Sequence, residues 1–300
     1  MIHSIKIWNE PNNLNHWDFR LDPGWETFAA LVRETSATVR GTGAEVPLVM
    51  GGLCPVDPDF LRRMRRLGAL DAVDAVAMHA FPFDWNLWPV EELPERAAAL
   101  REEFGKPVWI TELGASSFAS ETAAAWGLRR IREVLTDEKA YWYTLIDLHP
   151  QVPATSQLGP GEGSSYFRHF HFGLLHADGT PKKAVDDFDP TLGVCQWFQF
   201  EDERTLETAV RWLEKLEVRS VRTGLSWLES RLPGADRWFD TVMAALEPFE
   251  VCATLCFTPP DLGLRPDHTS PPREVAEFAR FAAEMVERYG AAHAAAGEQM

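Results

Sequence analysis

Short β-type runs and amphipathic helical stretches alternate along the whole chain, and this alternation limits the possible folds more than any other feature. Eight runs read as strands: Ser4–Asn9, Pro47–Leu53, Ala75–His79, Pro107–Glu112, Ala140–Asp147, Gly193–Phe198, Ser220–Leu225 and Val251–Phe257. Helical patterns lie between them over Gly24–Arg40, Pro58–Leu67, Leu93–Phe104, Ser120–Leu135, Arg204–Leu216, Arg237–Leu246 and Pro272–Arg288. Strand followed by helix, repeated, implies parallel strands joined by helical crossovers. Eight such strands are the number that closes a parallel barrel. An open doubly wound sheet is the alternative. That fold normally carries a glycine-rich phosphate turn, and the chain has neither a G-x-G-x-x-G nor a Walker pattern. Gly159-Pro160-Gly161-Glu162-Gly163 lacks the Lys-Ser/Thr ending and reads as part of a long mobile loop after the fifth strand.

Composition narrows the partners. Three hundred residues, 45% of them hydrophobic, can bury a large core. A formal charge of −16 argues against nucleic acid and anionic membrane, both of which would repel the chain. There is no apolar run near ~18 residues and no basic-then-apolar leader, so residence in the cytoplasm is expected. Cys54, Cys195, Cys252 and Cys256 lie in apolar segments without metal-ligand spacing and read as buried free thiols. Cys252 and Cys256 on one strand would sit ~13 Å apart, too far for a disulfide. His169 and His171 alternate like zinc ligands but have no third ligand clustered with them, so no metal is expected, and no cofactor motif is present. Nucleophilic Ser or Cys catalysis has no support, since no G-x-S-x-G exists and no cysteine sits beside a histidine.

Two runs stand out for how they end. Ile7-Trp8-Asn9-Glu10-Pro11-Asn12 and Trp109-Ile110-Thr111-Glu112-Leu113-Gly114 are each β-prone stretches that reach a glutamate just before a turn-forming Pro or Gly. Such strands deliver one carboxylate each to the mouth of a barrel. Paired carboxylates are the equipment of glycoside hydrolysis, with one as proton donor and the other as nucleophile. Twelve tryptophans add platforms for the apolar faces of sugar rings.

These motifs, three βα units apart, resemble the retaining glycoside hydrolases of the (β/α)8 superfamily, and the first is especially similar to β-xylosidase-like and cellulase-like members. In that superfamily the acid/base follows strand four and the nucleophile follows strand seven. The resemblance extends to Ala77-Met78-His79 (strand six), Tyr141-Trp142-Tyr143 (strand eight), and the closing segments Phe172-Gly173-Leu174-Leu175 and Asp178-Gly179-Thr180-Pro181-Lys182. It implies that residues 1–190 supply strands four to eight. Val194–Phe198, Val221–Trp227 and Val251–Thr258 then read as strands one to three, with Pro272–Arg288 as helix three and residues 291–300 as a tail. The expectation is a single, circularly permuted (β/α)8 TIM barrel over residues 1–300, in family order four-five-six-seven-eight-one-two-three. The old termini would be joined through Asp186–Leu192, the one plausible seam. The rival is a truncated half-barrel followed by an unrelated domain from about residue 190, which would leave sheet edges open.

The resemblance implies a retaining hydrolase of β-linked oligosaccharides or glycosides, with Glu10 as acid/base and Glu112 as nucleophile. Trp8 and Ile7 give Glu10 a dry flank that should favour its protonated form. Arg222 would hold Glu112 ionised, Asn9 would partner a sugar 2-hydroxyl, and His79 would be a donor near the nucleophile. Trp142 would stack beneath the reactive sugar, and Trp17, Trp85, Trp88 and Trp227 would line further subsites. Alternation on a strand points Asn9 away from Glu10 unless the strand end is bulged. One departure stands out: many relatives place a tyrosine two positions after the histidine, where this chain has Phe81, and Tyr143 is the candidate substitute. A non-catalytic carbohydrate-binding barrel that kept the cleft is the alternative function.

Overall fold

The computed structural model describes residues 1–86, 88–135, 138–152 and 159–290. Eight parallel strands form a closed ring in chain order: β1 (Ile2–Ile7), β2 (Leu48–Leu53), β3 (Ala75–Ala80), β4 (Val108–Leu113), β5 (Ala140–Tyr143), β6 (Gly193–Cys195), β7 (Ser220–Ser226) and β8 (Glu250–Cys256). Closure comes from β1, which pairs with β2 through Ile5–Leu48 and with β8 through Ile7–Leu255. The outer layer holds α1 (Glu26–Gly41), α2 (Pro58–Arg66), α3 (Leu93–Phe104), α4 (Glu121–Val134), the short α5 (Ser164–Phe167), α6 (Glu203–Lys215), α7 (Ala235–Ala245) and α8 (Val275–Tyr289). The fold is therefore the (β/α)8 barrel, and neither the doubly wound sheet nor the open half-barrel describes it.

Three strands end two or more residues earlier than their apolar runs, β6 among them at Cys195 rather than Phe198. β5 stops at Tyr143 rather than Asp147 because the chain changes partner there: Thr144 N bonds Phe172 O (3.1 Å) and Asp147 N bonds Leu175 O (3.0 Å). β1 stops at Ile7 because Trp8 (φ 67°) and Glu10 (φ 39°) enter the left-handed region, which non-glycine residues adopt at a cost. This break is what matters for the site. It cancels the strict alternation past Ile7, so Asn9 and Glu10 both face the mouth of the barrel.

Most apolar side chains form one core between strands and helices. Two small clusters stand apart from it: Val49, Ala75 and Ala77, and Tyr141, Cys195 and Cys252, with Trp109 against both. All four cysteines are free thiols; Cys54 is partly exposed and the other three are buried. No helix among the described residues is long and apolar enough to cross a membrane. The expected tail 291–300 and residues 153–158 of the expected loop lie outside the described residues.

Candidate active site

A cavity of about 810 Å³ opens where the eight strands end at their C-terminal side. This is the face on which barrel folds build ligand sites, because loops there vary without disturbing the ring. Its wall draws on every strand or the loop after it: Asn9 and Glu10 follow β1, Glu112 ends β4, Tyr143 ends β5 and Arg222 lies in β7.

Glu10 and Glu112 meet across this floor. One oxygen of each carboxylate and a ring nitrogen of His79 all lie within 4.8 Å of one another. The strands explain the meeting: His79 on β3 is in register with Glu112 on β4. Nδ1 of His79 sits 2.6 Å from Glu10 Oε1 and 3.3 Å from Glu112 Oε2, so a single donor serves both acids. The histidine was expected beside the nucleophile; its shorter contact is to Glu10. Arg222 Nη1 donates to Glu112 Oε1 (2.5 Å), and its Nη2 donates to Asn9 Oδ1 (2.8 Å). Arg222 is itself held by the Thr254 hydroxyl (Nε–Oγ1, 2.9 Å).

The electrostatics follow from these contacts. Burial alone would push the Glu112 carboxyl up, but His79, Arg222 and Lys6 hold it below its ordinary value. Glu10 differs from expectation. Its dry flank favours the neutral form, yet hydrogen bonds from His16 and His79 outweigh burial and hold the carboxyl well below its usual range. His16 Nε2 lies 3.3 Å from Glu10 Oε2, and Asn13 Nδ2 donates to the same oxygen at 2.8 Å. Burial lowers His79, so it enters this network neutral. The three groups that come within 4.8 Å also offer metal-type ligand atoms. Lys6 and Arg222 already place two cationic side chains against them, which disfavours a further cation there.

Four of the five expected sugar platforms are not in the cavity. Trp142 alternates with Tyr141 and Tyr143 on β5; Tyr143 faces the cavity, so Trp142 points outward into the core and is 1% exposed. Trp227 directly follows Ser226, which lines the cavity, and therefore packs the other way, 5.4 Å from the ring of Phe278 on α8. Trp17 is fully buried between Trp8 (5.1 Å) and Phe28 (5.2 Å). Trp88 stacks with Arg96 rather than lining the cavity. Trp85 does line it, held edge-on by Phe81 at 4.9 Å. Phe81 also contacts Tyr143 (5.9 Å), whose hydroxyl pairs with His169 Nε2 at 3.2 Å. Burial, with Glu112 nearby, pushes the Tyr143 hydroxyl well above its ordinary value.

The structure also brings in residues that the sequence reading missed. Lys6, His16, Trp197, Glu229 and Phe257 all belong to the site or its wall. Trp197 had a signal in the sequence: Gly224 interrupts the β7 run, and a Cβ there would fall 2.0 Å from the Trp197 ring. An isolated glycine in a strand often marks such a close approach.

No protein-family model matches the chain. No curated protein matches it either. Among solved structures, the chain is similar to a family 39 glycoside hydrolase from the gut symbiont Bacteroides cellulosilyticus WH2, with a TM-score of 0.31 and 19% identity over 47% of this chain. The chain spans 32% of that hydrolase's length. It is also similar to a truncated 3-deoxy-D-arabino-heptulosonate 7-phosphate synthase from Thermotoga maritima (TM-score 0.42, 10% identity, 95% of this chain and 86% of the other). N-acetylneuraminate lyase from Mycoplasma synoviae aligns with a TM-score of 0.35 at 12% identity, over 86% of this chain and 67% of its own.

Proposed function

We propose that the chain is a retaining glycoside hydrolase that cleaves β-glycosidic bonds by double displacement, with Glu112 as nucleophile and Glu10 as acid/base. One observation carries this: a carboxylate oxygen of Glu10 and one of Glu112 lie within 4.8 Å at the floor of a large cavity. Retaining enzymes hold their two carboxyl groups ~5–5.5 Å apart, whereas inverting enzymes need ~6.5–9.5 Å to admit a water.

Glu112, ionised beside Arg222, attacks the anomeric carbon, while a proton on Glu10 passes to the departing oxygen. The products of this step are a glycosyl ester on Glu112 and a free aglycone. Glu10, now a carboxylate, takes a proton from water as the water oxygen attacks the same carbon and breaks the ester. Glu10 begins ionised in the empty site, so the first step requires the entering sugar to displace water and raise its proton affinity. His79 suits both half-reactions. When the ester removes the Glu112 charge, its Nδ1–H still has Glu10 to bond.

This assignment also makes the chain a circular permutation of the resembled family. Its first strand corresponds to family strand four, its fourth to strand seven, and its seventh, with Arg222, to strand two. What supports it is the β1–β8 pairing, through which the strands after residue 190 complete the ring.

A panel of aryl β-xylosides, glucosides, galactosides and mannosides tests the proposal. Glu112→Ala should lower turnover roughly a thousandfold or more, and added azide should restore it as an α-glycosyl azide. Glu10→Ala should spare substrates with good leaving groups and yield β-glycosyl azide. Undiminished activity in Glu112→Ala rejects the nucleophile. A second reading, a carbohydrate-binding barrel without turnover, draws on the three donors that keep Glu10 ionised. Saccharide binding with no hydrolysis across the panel would select it.

A further inference from the structure

Lys6 is the least expected member of the site. It lies on β1 between Ile5 and Ile7, is fully buried, and does not line the cavity. Its ammonium donates to Asn9 Oδ1 and lies 3.4 Å from His79 Nε2. Room for it exists because residue 52 is glycine with φ +93°: a Cβ there would fall 2.6 Å from Lys6 Nζ and 2.4 Å from His79 Nε2. A buried ammonium outside the cavity lining, in contact with Asn9 of that lining and with the histidine that bridges both acids, has a directing role.

We propose, resting on the glycosidase reading, that Lys6 is a positioning residue that acts with Arg222 to fix the amide orientation of Asn9 and with the two carboxylates to fix the tautomer of His79. The reasoning is a count of donors and acceptors. Lys6 Nζ and Arg222 Nη2 both approach Asn9 at one atom, and both only donate, so that atom is the amide oxygen. Its NH₂ is thereby turned to the cavity, where it can donate to a sugar hydroxyl. The same ammonium cannot accept a proton from His79, so Nε2 presents its lone pair and the ring proton sits on Nδ1. From there it reaches Glu10 at 2.6 Å and Glu112 at 3.3 Å. The Thr111 hydroxyl, 3.1 Å from Nε2, is free to donate in the same sense.

The Lys6 share of this arrangement depends on its charge. Burial, with Arg222 nearby, lowers Lys6 to about 7, opposed by Glu112, Glu10 and Cys256. With His79 on β3 and Asn9 after β1, these are the titratable and polar groups that face it from β4, β7, β8 and the β1 loop. Above neutral pH the neutral amine can accept as well as donate and no longer pins the Asn9 amide by its charge, whereas the carboxylates at Nδ1 keep the His79 proton in place.

Nitrogen-15 spectra of histidine-labelled protein at pH 6 test this without any substrate or variant. The expected result is a His79 ring protonated on Nδ1, facing the Glu10 and Glu112 carboxylates. A His79 protonated on Nε2 at pH 6 overturns the proposal whether or not the protein hydrolyses glycosides. Lys6→Met keeps the stem and removes the donor. Its kcat/KM should fall ten- to a hundredfold, with the inflection near pH 7 gone. A Lys6→Met protein that retains the wild-type kcat/KM and pH profile also overturns it. Absence of glycosidase activity in the wild type, with the expected tautomer present, rejects the hydrolase reading alone.

Discussion

Glu229 shares the cavity wall with the two central acids but has no partner for its carboxylate among the described residues. Burial raises it from 4.5 to about 7, the opposite of what donors do to Glu10 and Glu112. The consequence for stability has a definite sign. Between those two values the folded chain binds this proton more tightly than the unfolded chain does, so stability falls as pH rises through that window. Glu229→Gln is therefore expected to stabilise the fold by about 1–3 kcal/mol at pH 8 and to leave it unchanged at pH 4. Urea unfolding at both values checks it, and an equal gain at both, or none at pH 8, rejects it. Single residues also show what a sequence can disclose. Glu10, Glu112, Asn9 and His79 are polar groups at or near the ends of apolar runs, a position that points to a barrel mouth, and the structure gathers them with Arg222 from within β7. Trp17, Trp142 and Trp227 occupy similar places along the chain, yet strand alternation and the turn after β1 send them into the core. Lys6 was illegible for the reverse reason: a lone lysine within an apolar strand reads as solvated, and only the glycine on the neighbouring strand makes its pocket.

At the scale of elements, periodicity located every strand and seven helices, while the boundaries came from local bonds that periodicity does not carry. The helix expected from Arg204 begins one residue earlier, at Glu203, because Asp202 caps it: its carboxylate accepts from Thr205 N at 3.0 Å. α8 differs. Its first flanking residue, Glu274, makes no side-chain cap bond. Asp202→Ala should cost ~1 kcal/mol, because the Thr205 N–H loses its partner, whereas Glu274→Ala should change stability by only a few tenths. Paired urea titrations distinguish the two, and similar losses would show that the Asp202 bond contributes nothing specific. The early end of β5 is the same lesson in a strand. Thr144 to Asp147 are as β-prone as the residues before them, but most of their backbone hydrogen bonds go to the Phe172–Leu175 segment, with only Leu145 N still reaching Cys195 O of β6.

The whole molecule depends on one seam that local sequence does not reveal. β1 is flanked by β2, some forty residues on, and by β8, about two hundred and fifty residues on, so it is the piece that turns a sheet into a ring. α1 and α8 pack together outside it and reinforce the same closure. Ile2 and Ile5 on this strand are fully buried. Removing Met1–Ile5 would strip both of its neighbours of hydrogen-bond partners and create two open edges, which a barrel exists to avoid. It would also withdraw those apolar side chains from the core, at ~1.5–3 kcal/mol each. Terminal trims are ordinarily mild because chain ends are usually frayed and exposed, so a severe effect here would be diagnostic. The expected product is unfolded or aggregated, seen as lost cooperative melting by circular dichroism and a void-volume peak in size exclusion. A soluble, cooperatively melting product would mean that the ring can close without β1, and then neither Lys6 nor Glu10 could owe its place to that strand.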